Sequence, residues 1–231
     1  MFDISTICAI ASPSGTGAIA CLRLSGKEAL NILNALIIES NTDIEKFQAR
    51  KLYKCSLGKA QEIVDEVLVT YYKAPHSYTG EDSVEIFCHG GAYIQQRLLE
   101  LMLEAGAKPV APGEFTQRAF LNGRLDLSQS EAVAELISGV TASQHNLAMK
   151  QLRGGVKNEI AELRQELLNF VSLVELELDF PEEDVEFANR EDLQALIADI
   201  ISKINKLILG FKYGNAIKNG LGVAIVGRPN T

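Results

Sequence analysis

Two charged side chains inside apolar runs are the first candidates for chemistry. Arg23 stands between two leucines. Because an unpaired buried charge costs several kcal/mol, Arg23 either reaches solvent from a sheet edge or pairs with an anion. Glu85 stands between Val84 and Ile86, so in a strand its side chain points to the face opposite theirs. Glu85 is therefore either a solvated carboxylate or the acceptor for a polar ligand in a pocket.

Other chemically capable residues have simpler structural interpretations. The glycine-rich loop at residues 15–17 admits a ligand close to its backbone, but a hairpin turn is favoured. Cys88 and His89 are adjacent, so in a strand they point to opposite faces and do not share a metal ion. Glu114 and Arg118 are four residues apart and either pair with each other on a helix or serve a site. No spacing of Ser, His and Asp nominates a nucleophile with its base, so no catalytic residue is assigned.

The elements that position these residues indicate an α+β fold in the first 125 residues. Apolar runs rich in β-branched and aromatic residues predict strands, and apolar spacing of three and four predicts helices. Gly106 is expected to end the second helix. The predicted strands cover residues 6–12, 18–24, 51–57, 62–72 and 84–89, and the predicted helices cover residues 27–38, 92–104 and 113–121.

From Ser128 onwards the pattern becomes almost continuously helical. Ser128 and Glu131 fit a capping box at a helix start. Pro181 and the acidic stretch at residues 182–184, which we interpret as solvated, separate two long helices, and Asn189 is expected to cap the second. Apolar stripes predict that these helices pack antiparallel and bury the stripes in a core. The stripes comprise Ile160, Leu163, Leu167, Phe170, Val174 and Leu178, then Leu193, Leu196, Ile197, Ile200, Ile204, Leu207 and Phe211.

The last residues resemble the start of a nucleotide-binding motif. Residues 221–226 form an apolar run that leads into Gly227. A strand followed by glycine begins the P-loop motif G-x-x-x-x-G-K-[ST], but the second glycine, the lysine and the Ser/Thr are absent. Alone, Gly227 is more typical of a turn. An uncovered apolar strand at this point favours a truncated chain, with a further domain expected beyond it.

Composition limits the functional classes. The chain has 231 residues, with 30 acidic and 22 basic side chains and a formal charge of −8. A free-standing nucleic-acid binder usually has a basic excess, so RNA contact requires a local patch or a partner. The four cysteines lack paired spacing and are interpreted as reduced thiols. Without an export signal or a long apolar span, the chain is expected to be soluble and cytoplasmic, with no membrane partner.

Several motifs in order resemble the tRNA-modification GTPase family called MnmE or TrmE. The resemblance covers the whole chain, and the ordered set is far more specific than any single motif. The motifs are DISTICAIA at residues 3–11 with Pro13 and Gly15, LRLSG at 22–26, SYTGEDSVEI at 77–86, HGG at 89–91, PGEFTQRAFLNGRLDL at 112–127, EAV at 131–133, LDF at 178–180 with Glu182 and Glu183, and GRPN at 227–230.

The resemblance implies a three-part organisation. Residues 1–125 would form an α+β domain similar to folate-binding aminomethyltransferase-type domains, which dimerises. Residues 126–218 would be the first part of a helical domain, and residues 219–231 the first strand and P-loop start of a GTPase domain. The family works with the flavoprotein MnmG, and installs a carboxymethylaminomethyl or aminomethyl group at C5 of the wobble uridine of certain tRNAs. It uses GTP, Mg²⁺, K⁺ and a one-carbon folate; this chain alone is expected to lack GTPase activity.

The resemblance also implies site residues. Arg23, Glu85 and Arg124 match family positions that bind 5-formyltetrahydrofolate. Arg124 replaces a lysine found in many relatives, which leaves a cation but changes the geometry, because a guanidinium binds a carboxylate with two donors. Asn230 matches the P-loop asparagine that helps to bind K⁺ and the nucleotide. No metal site is expected in the complete part of the chain.

Two alternatives to a cofactor-binding part of such a GTPase stay open. One is a non-catalytic module for dimerisation and scaffolding, whose folate pocket has degenerated. The other is a stand-alone aminomethyltransferase-like folate enzyme. The P-loop start at Gly227 disfavours the second alternative.

Overall fold

A sheet of seven strands and seven α-helices make up the part of the chain that the structure describes. The computed structural model describes residues 5–40, 43–179 and 189–219, together with 224, 226 and 227. The chain divides into two compact units, Met1–Asp126 and Leu127–Thr231. The first unit holds the whole sheet, and the elements described in the second unit are all helices, which confirms the predicted α+β class.

The strands of the first unit pair in the order β3-β4-β5-β6-β2-β1-β7. Neighbours are antiparallel, except that β7 runs parallel to β1. The strands β2 and β6 therefore lie near the middle of the sheet. The strand bounds are β1 Ile7–Ile10, β2 Ile19–Ser25, β3 Ile37–Ser40, β4 Leu52–Lys59, β5 Glu62–Tyr72, β6 Ser83–His89 and β7 Lys108–Pro109.

One face of this sheet is covered by the helices α1 (Ala29–Leu36) and α2 (Ala92–Glu104). Because side chains alternate along a strand, Leu22 and Ile86 point towards these helices and are fully buried. The apolar residues Leu98, Leu101 and Met102 of α2 are buried, and the helix ends before Gly106, as predicted. The apolar core of the first unit therefore lies between this sheet face and the two helices.

The opposite sheet face carries the alternate side chains, among them Arg23 and Glu85. The helix α3 (Glu114–Leu121) belongs to the same unit. Towards β4 and β5 this face leaves Leu52 and Leu68 62% and 46% exposed. The part of this face on β4 and β5 is therefore open to solvent and available to a binding partner.

The predicted first helix was wrong at its C-terminal end. Helix α1 ends at Leu36, and Ile37 begins β3, which pairs with β4. Ile37 and Ile38 are β-branched, and cross-strand pairing with β4 outweighs the continuation of the helical spacing. The predicted hairpin around residues 15–17 is confirmed by the antiparallel pairing of β1 with β2.

The second unit consists of four described helices. The capping box predicted at Ser128 was wrong, because α4 already begins at Leu127 and Ser128 lies inside its first turn. A capping box is instead formed by Thr141 and Gln144 at the start of α5. The predicted cap by Asn189 is confirmed, since its Oδ1 accepts the backbone N–H of Glu191 at 2.9 Å. The helix bounds are α4 Leu127–Ser138, α5 Ala142–Leu152, α6 Gly155–Asp179 and α7 Arg190–Asn219.

The long helices α6 and α7 leave much of their apolar stripes uncovered. Lys203 of α7 pairs with Glu166 of α6 at 3.4 Å, so the helices meet. Leu163 is 7% exposed, but Ile160 and Ile204 are 53% and 43% exposed. The expectation that the stripes are buried in a core was therefore wrong for most of the described positions, because two helices alone cannot enclose a broad apolar face.

Several predictions fall outside the described residues. These are the helix break at Pro181 with the acidic stretch at residues 182–184, most of the strand at residues 221–226, and Asn230. Gly227 is described and exposed.

Candidate functional site

Arg23 and Glu85 lie directly opposite each other on the neighbouring strands β2 and β6. The Nε and Nη2 atoms of Arg23 both donate to Oε1 of Glu85, at 3.0 and 2.6 Å. The two side chains are 22% and 16% exposed. Of the two alternatives for Arg23, the structure therefore favours pairing with an anion, from a central strand rather than from an edge.

Three aromatic side chains surround this ion pair. The Arg23 Cζ atom lies 5.2 Å from the ring centroid of Tyr78 and 5.5 Å from that of Phe115, both within the range of cation–π attraction. The hydroxyl of Tyr72 lies 3.5 Å from Oε2 of Glu85, a long contact. Burial and, next, the charge of Glu85 raise the pKa of Tyr72, so this hydroxyl keeps its proton at neutral pH.

The ion pair retains hydrogen-bonding capacity. Among the described residues, Nη1 of Arg23 has no hydrogen-bond partner, and Oε2 of Glu85 has only the long contact to Tyr72. A guanidinium offers five donors and a carboxylate four acceptor positions. The pair therefore presents donors and an acceptor side by side next to aromatic rings, an arrangement that suits a planar, polar heterocycle.

Arg124 lies beside the loop that carries Tyr78. Its backbone N–H donates to the carbonyl of Ala119 at 2.8 Å. The side-chain stem packs on Gly80, where an added Cβ would lie 3.1 Å from Cγ of Arg124. The side chain is exposed and, within the described part of the chain, its guanidinium makes no ion pair. Of the three predicted residues, the structure thus brings Arg23 and Glu85 into contact and places Arg124 beside the neighbouring loop.

A buried polar network, which the sequence did not reveal as a unit, fastens this loop and α3 to the sheet. Ser25 donates to Oε2 of Glu81 at 2.7 Å, and its hydroxyl lies 2.6 Å from that of Thr79. Arg118 is 7% exposed; its Nη1 donates to Glu81 at 3.2 Å and its Nη2 to Glu114 at 3.0 Å. Of the two alternatives for Glu114 and Arg118, the structure shows the pair on one helix. The missed partner, Glu81, is 37 residues from Arg118 in sequence, and no local spacing signals such a contact.

Cysteine chemistry is not available near the ion pair. Cys21 lies on the same sheet face as Arg23, two residues earlier in β2. Burial, followed by the charge of Glu85, raises the pKa of Cys21 to about 11. Burial also raises the pKa values of Cys8 and Cys88 to about 11. Since the thiolate is the reactive form, these thiols are not nucleophiles at neutral pH.

His89 belongs to a separate polar contact. Its Nδ1 lies 2.7 Å from Oδ1 of the buried Asp65, whose Oδ2 accepts the His89 backbone N–H at 2.8 Å. No group of three or more His, Cys, Asp or Glu side chains able to hold a metal ion occurs among the described residues. Through both contacts to His89, the Asp65 carboxylate fixes the end of β6.

No helix in the described ranges has the length and apolar character needed to cross a bilayer.

Comparison with known proteins gives matches over nearly the whole chain. The family described as GTP-binding protein TrmE N-terminus matches residues 6–124, and the MnmE helical domain matches residues 127–222. A tRNA modification GTPase MnmE from Flavobacterium johnsoniae is 52% identical over 231 residues, covering 100% of this chain and 50% of the relative. The proteins of the same name from Bacteroides thetaiotaomicron and Porphyromonas gingivalis are 50% and 48% identical, covering 97% and 99% of this chain and 49% of each relative. The chain thus spans about half the length of the curated relatives it matches.

Proposed function

Because the chain belongs to the MnmE (TrmE) family of tRNA modification GTPases, we propose that it is the cofactor-binding part of such an enzyme. Its first unit binds 5-formyltetrahydrofolate or a related one-carbon folate. The observation that carries this proposal is the half-buried Arg23–Glu85 pair with unused donors and an acceptor beside aromatic rings.

The exposed chemistry of this pair fits a folate. A pterin has a 2-amino group and a ring N–H, and Oε2 of Glu85, which has only a long contact to Tyr72 among the described residues, would accept their hydrogen bonds. Arg23 offers its Nη1 donors to a carbonyl or carboxylate of the same ligand. The exposed guanidinium of Arg124, which lies beside Gly80, provides a cation for the anionic glutamate tail. When bound, the folate supplies a one-carbon unit; Arg23, Glu85 and Arg124 hold and orient it.

The remaining activities belong to the longer protein of this family. With the flavoprotein MnmG, the enzyme would modify C5 of the wobble uridine of certain tRNAs in the cytoplasm, driven by GTP hydrolysis with Mg²⁺ and K⁺. Asn230 would contribute to the nucleotide and K⁺ site. GTP hydrolysis would depend on a second glycine, a lysine and a Ser/Thr following the P-loop start at Gly227.

The first unit would also form a homodimer. The exposed Leu52 and Leu68 on the open sheet face support this proposal, because exposed apolar clusters favour association. Light scattering after size-exclusion chromatography tests it. We expect the wild-type chain to be a dimer and Leu68→Lys to dissociate it, because the charge would lie at this face. A monomeric wild-type chain would rule out dimerisation of this chain.

A calorimetric titration of the chain with 5-formyltetrahydrofolate tests the cofactor site. Glu85→Ala is expected to weaken binding by about 1–3 kcal/mol, because a polar group of the ligand loses its partner. Arg124→Ala is expected to weaken binding more at low salt than at high salt, since its charge is exposed.

Glu66→Ala is the matched control, because Glu66 is an exposed strand carboxylate whose ion pair in the described part of the chain is with the exposed Lys54. It should bind like the wild type. If the wild-type chain shows no saturable binding, the cofactor role is wrong and the scaffold module becomes the better account. If the wild-type chain binds the folate and Glu85→Ala binds it equally well, Glu85 is not part of the site.

A further inference from the structure

The rings of Tyr78 and Phe115 lie against a guanidinium rather than in an apolar core. We call these two residues the aromatic clamp. Tyr78 is 36% exposed, so the hydrophobic effect explains only in part why its ring lies at this place. Both ring centroids lie within 6 Å of Arg23 Cζ, where the negative ring face attracts a cation.

A ring holds a guanidinium differently from a carboxylate. Glu85 already occupies Nε and Nη2 of Arg23. A second carboxylate would also occupy Nη1, whereas an aromatic face attracts the cation without consuming its strong in-plane donors. The aromatic clamp therefore stabilises the position of Arg23 and leaves Nη1 available for a ligand.

The aromatic clamp is itself fixed by polar contacts. The Tyr78 hydroxyl lies 2.9 Å from Oγ1 of Thr116, the neighbour of Phe115 on α3. Arg118 ties α3 to the loop through Glu81. The two rings thus come from two segments that are joined to each other beside the sheet.

We propose that Tyr78 and Phe115 are positioning residues, which act on ligand binding through Arg23 by holding its guanidinium with Nη1 free. This inference rests on the proposed folate site. It assigns to the rings an effect on affinity that disappears when Arg23 is absent.

A double-mutant cycle tests the inference, with 5-formyltetrahydrofolate as the probe. Tyr78→Leu should raise the Kd about three- to tenfold, the range of one partly exposed cation–π contact. Tyr78→Phe keeps the ring and loses the Thr116 contact, so it should bind within about twofold of the wild type. In an Arg23→Ala background, Tyr78→Leu should have no further effect.

Tyr93→Leu is the matched control, because Tyr93 is 71% exposed on α2 and has no cation–π contact among the described residues. Thermal unfolding of every variant checks that the fold is retained. A wild-type Kd for Tyr78→Leu, or an equal loss in the Arg23→Ala background, would overturn the positioning role alone. A wild-type chain that does not bind the folate would overturn the proposed function, and this inference with it.

Discussion

Replacement of Arg118 by alanine should destabilise the first unit more than any exposed ion pair can account for. Arg118 is 7% exposed, and it donates to Glu81, Glu114 and the carbonyl of Ser5. Breaking a buried ion pair from one side typically costs about 3–5 kcal/mol. Because the carboxylates of Glu81 and Glu114 are 23% and 22% exposed, water compensates part of this loss, and we expect about 2–4 kcal/mol.

Hydrogen–deuterium exchange during a urea titration measures this effect where it occurs. Peptides from β2 and β6 report the opening of the first unit separately from the helices of the second. The control is Arg97→Ala, since Arg97 pairs with the exposed Glu100 and Glu104 on α2 and such pairs contribute little. If both variants lower the free energy of opening equally, the buried network is not the anchor that we describe.

Two further predictions concern the first unit. The pKa values of Cys8, Cys21 and Cys88 are raised to about 11 in the folded chain, so their stabilising effect is complete below pH 9 and is lost as the pH rises towards 11. The urea concentration at the unfolding midpoint should therefore fall over that interval. Iodoacetamide at pH 8 should label these thiols about a hundredfold more slowly than it labels the thiols of an unfolded peptide; labelling at the peptide rate would contradict the burial. Gly90→Ala would place a Cβ 2.4 Å from the carbonyl oxygen of Gly17 and should destabilise by about 1–3 kcal/mol, whereas Gly17→Ala, with its nearest contact at 3.7 Å, should cost much less. Equal melting temperatures for the two variants would show that the backbone yields there.

Local periodicity predicted most of the elements but not their partners. Alternation along a strand is a property of neighbouring residues, so the placement of Glu85 on the face opposite Val84 was predictable. The contact between Arg23 and Glu85 joins positions 62 residues apart, and composition gives no information on which strands are neighbours. The resemblance to a known family suggested that the two residues share a site; the register of β2 and β6 supplies the physical reason.

The remaining differences have the same origin. The spacing of Leu33 and Ile37 is helical, yet pairing with β4 draws Ile37 into β3. Glu81 gives no local signal, because its partners Ser25 and Arg118 are remote in sequence. The two stripes that contain Ile160 and Ile204 identify the apolar faces of α6 and α7 correctly, but periodicity does not state whether a partner covers them.

The alignment of β2 with β6 gives the ion pair a further consequence. If one strand slipped by a single residue, Arg23 would turn towards the side that α1 and α2 cover, and Glu85 would face solvent without it. A ligand that needs both groups therefore recognises only the correctly paired strands. Binding of the proposed folate would favour that pairing by mass action, so that the ligand would also select the native sheet.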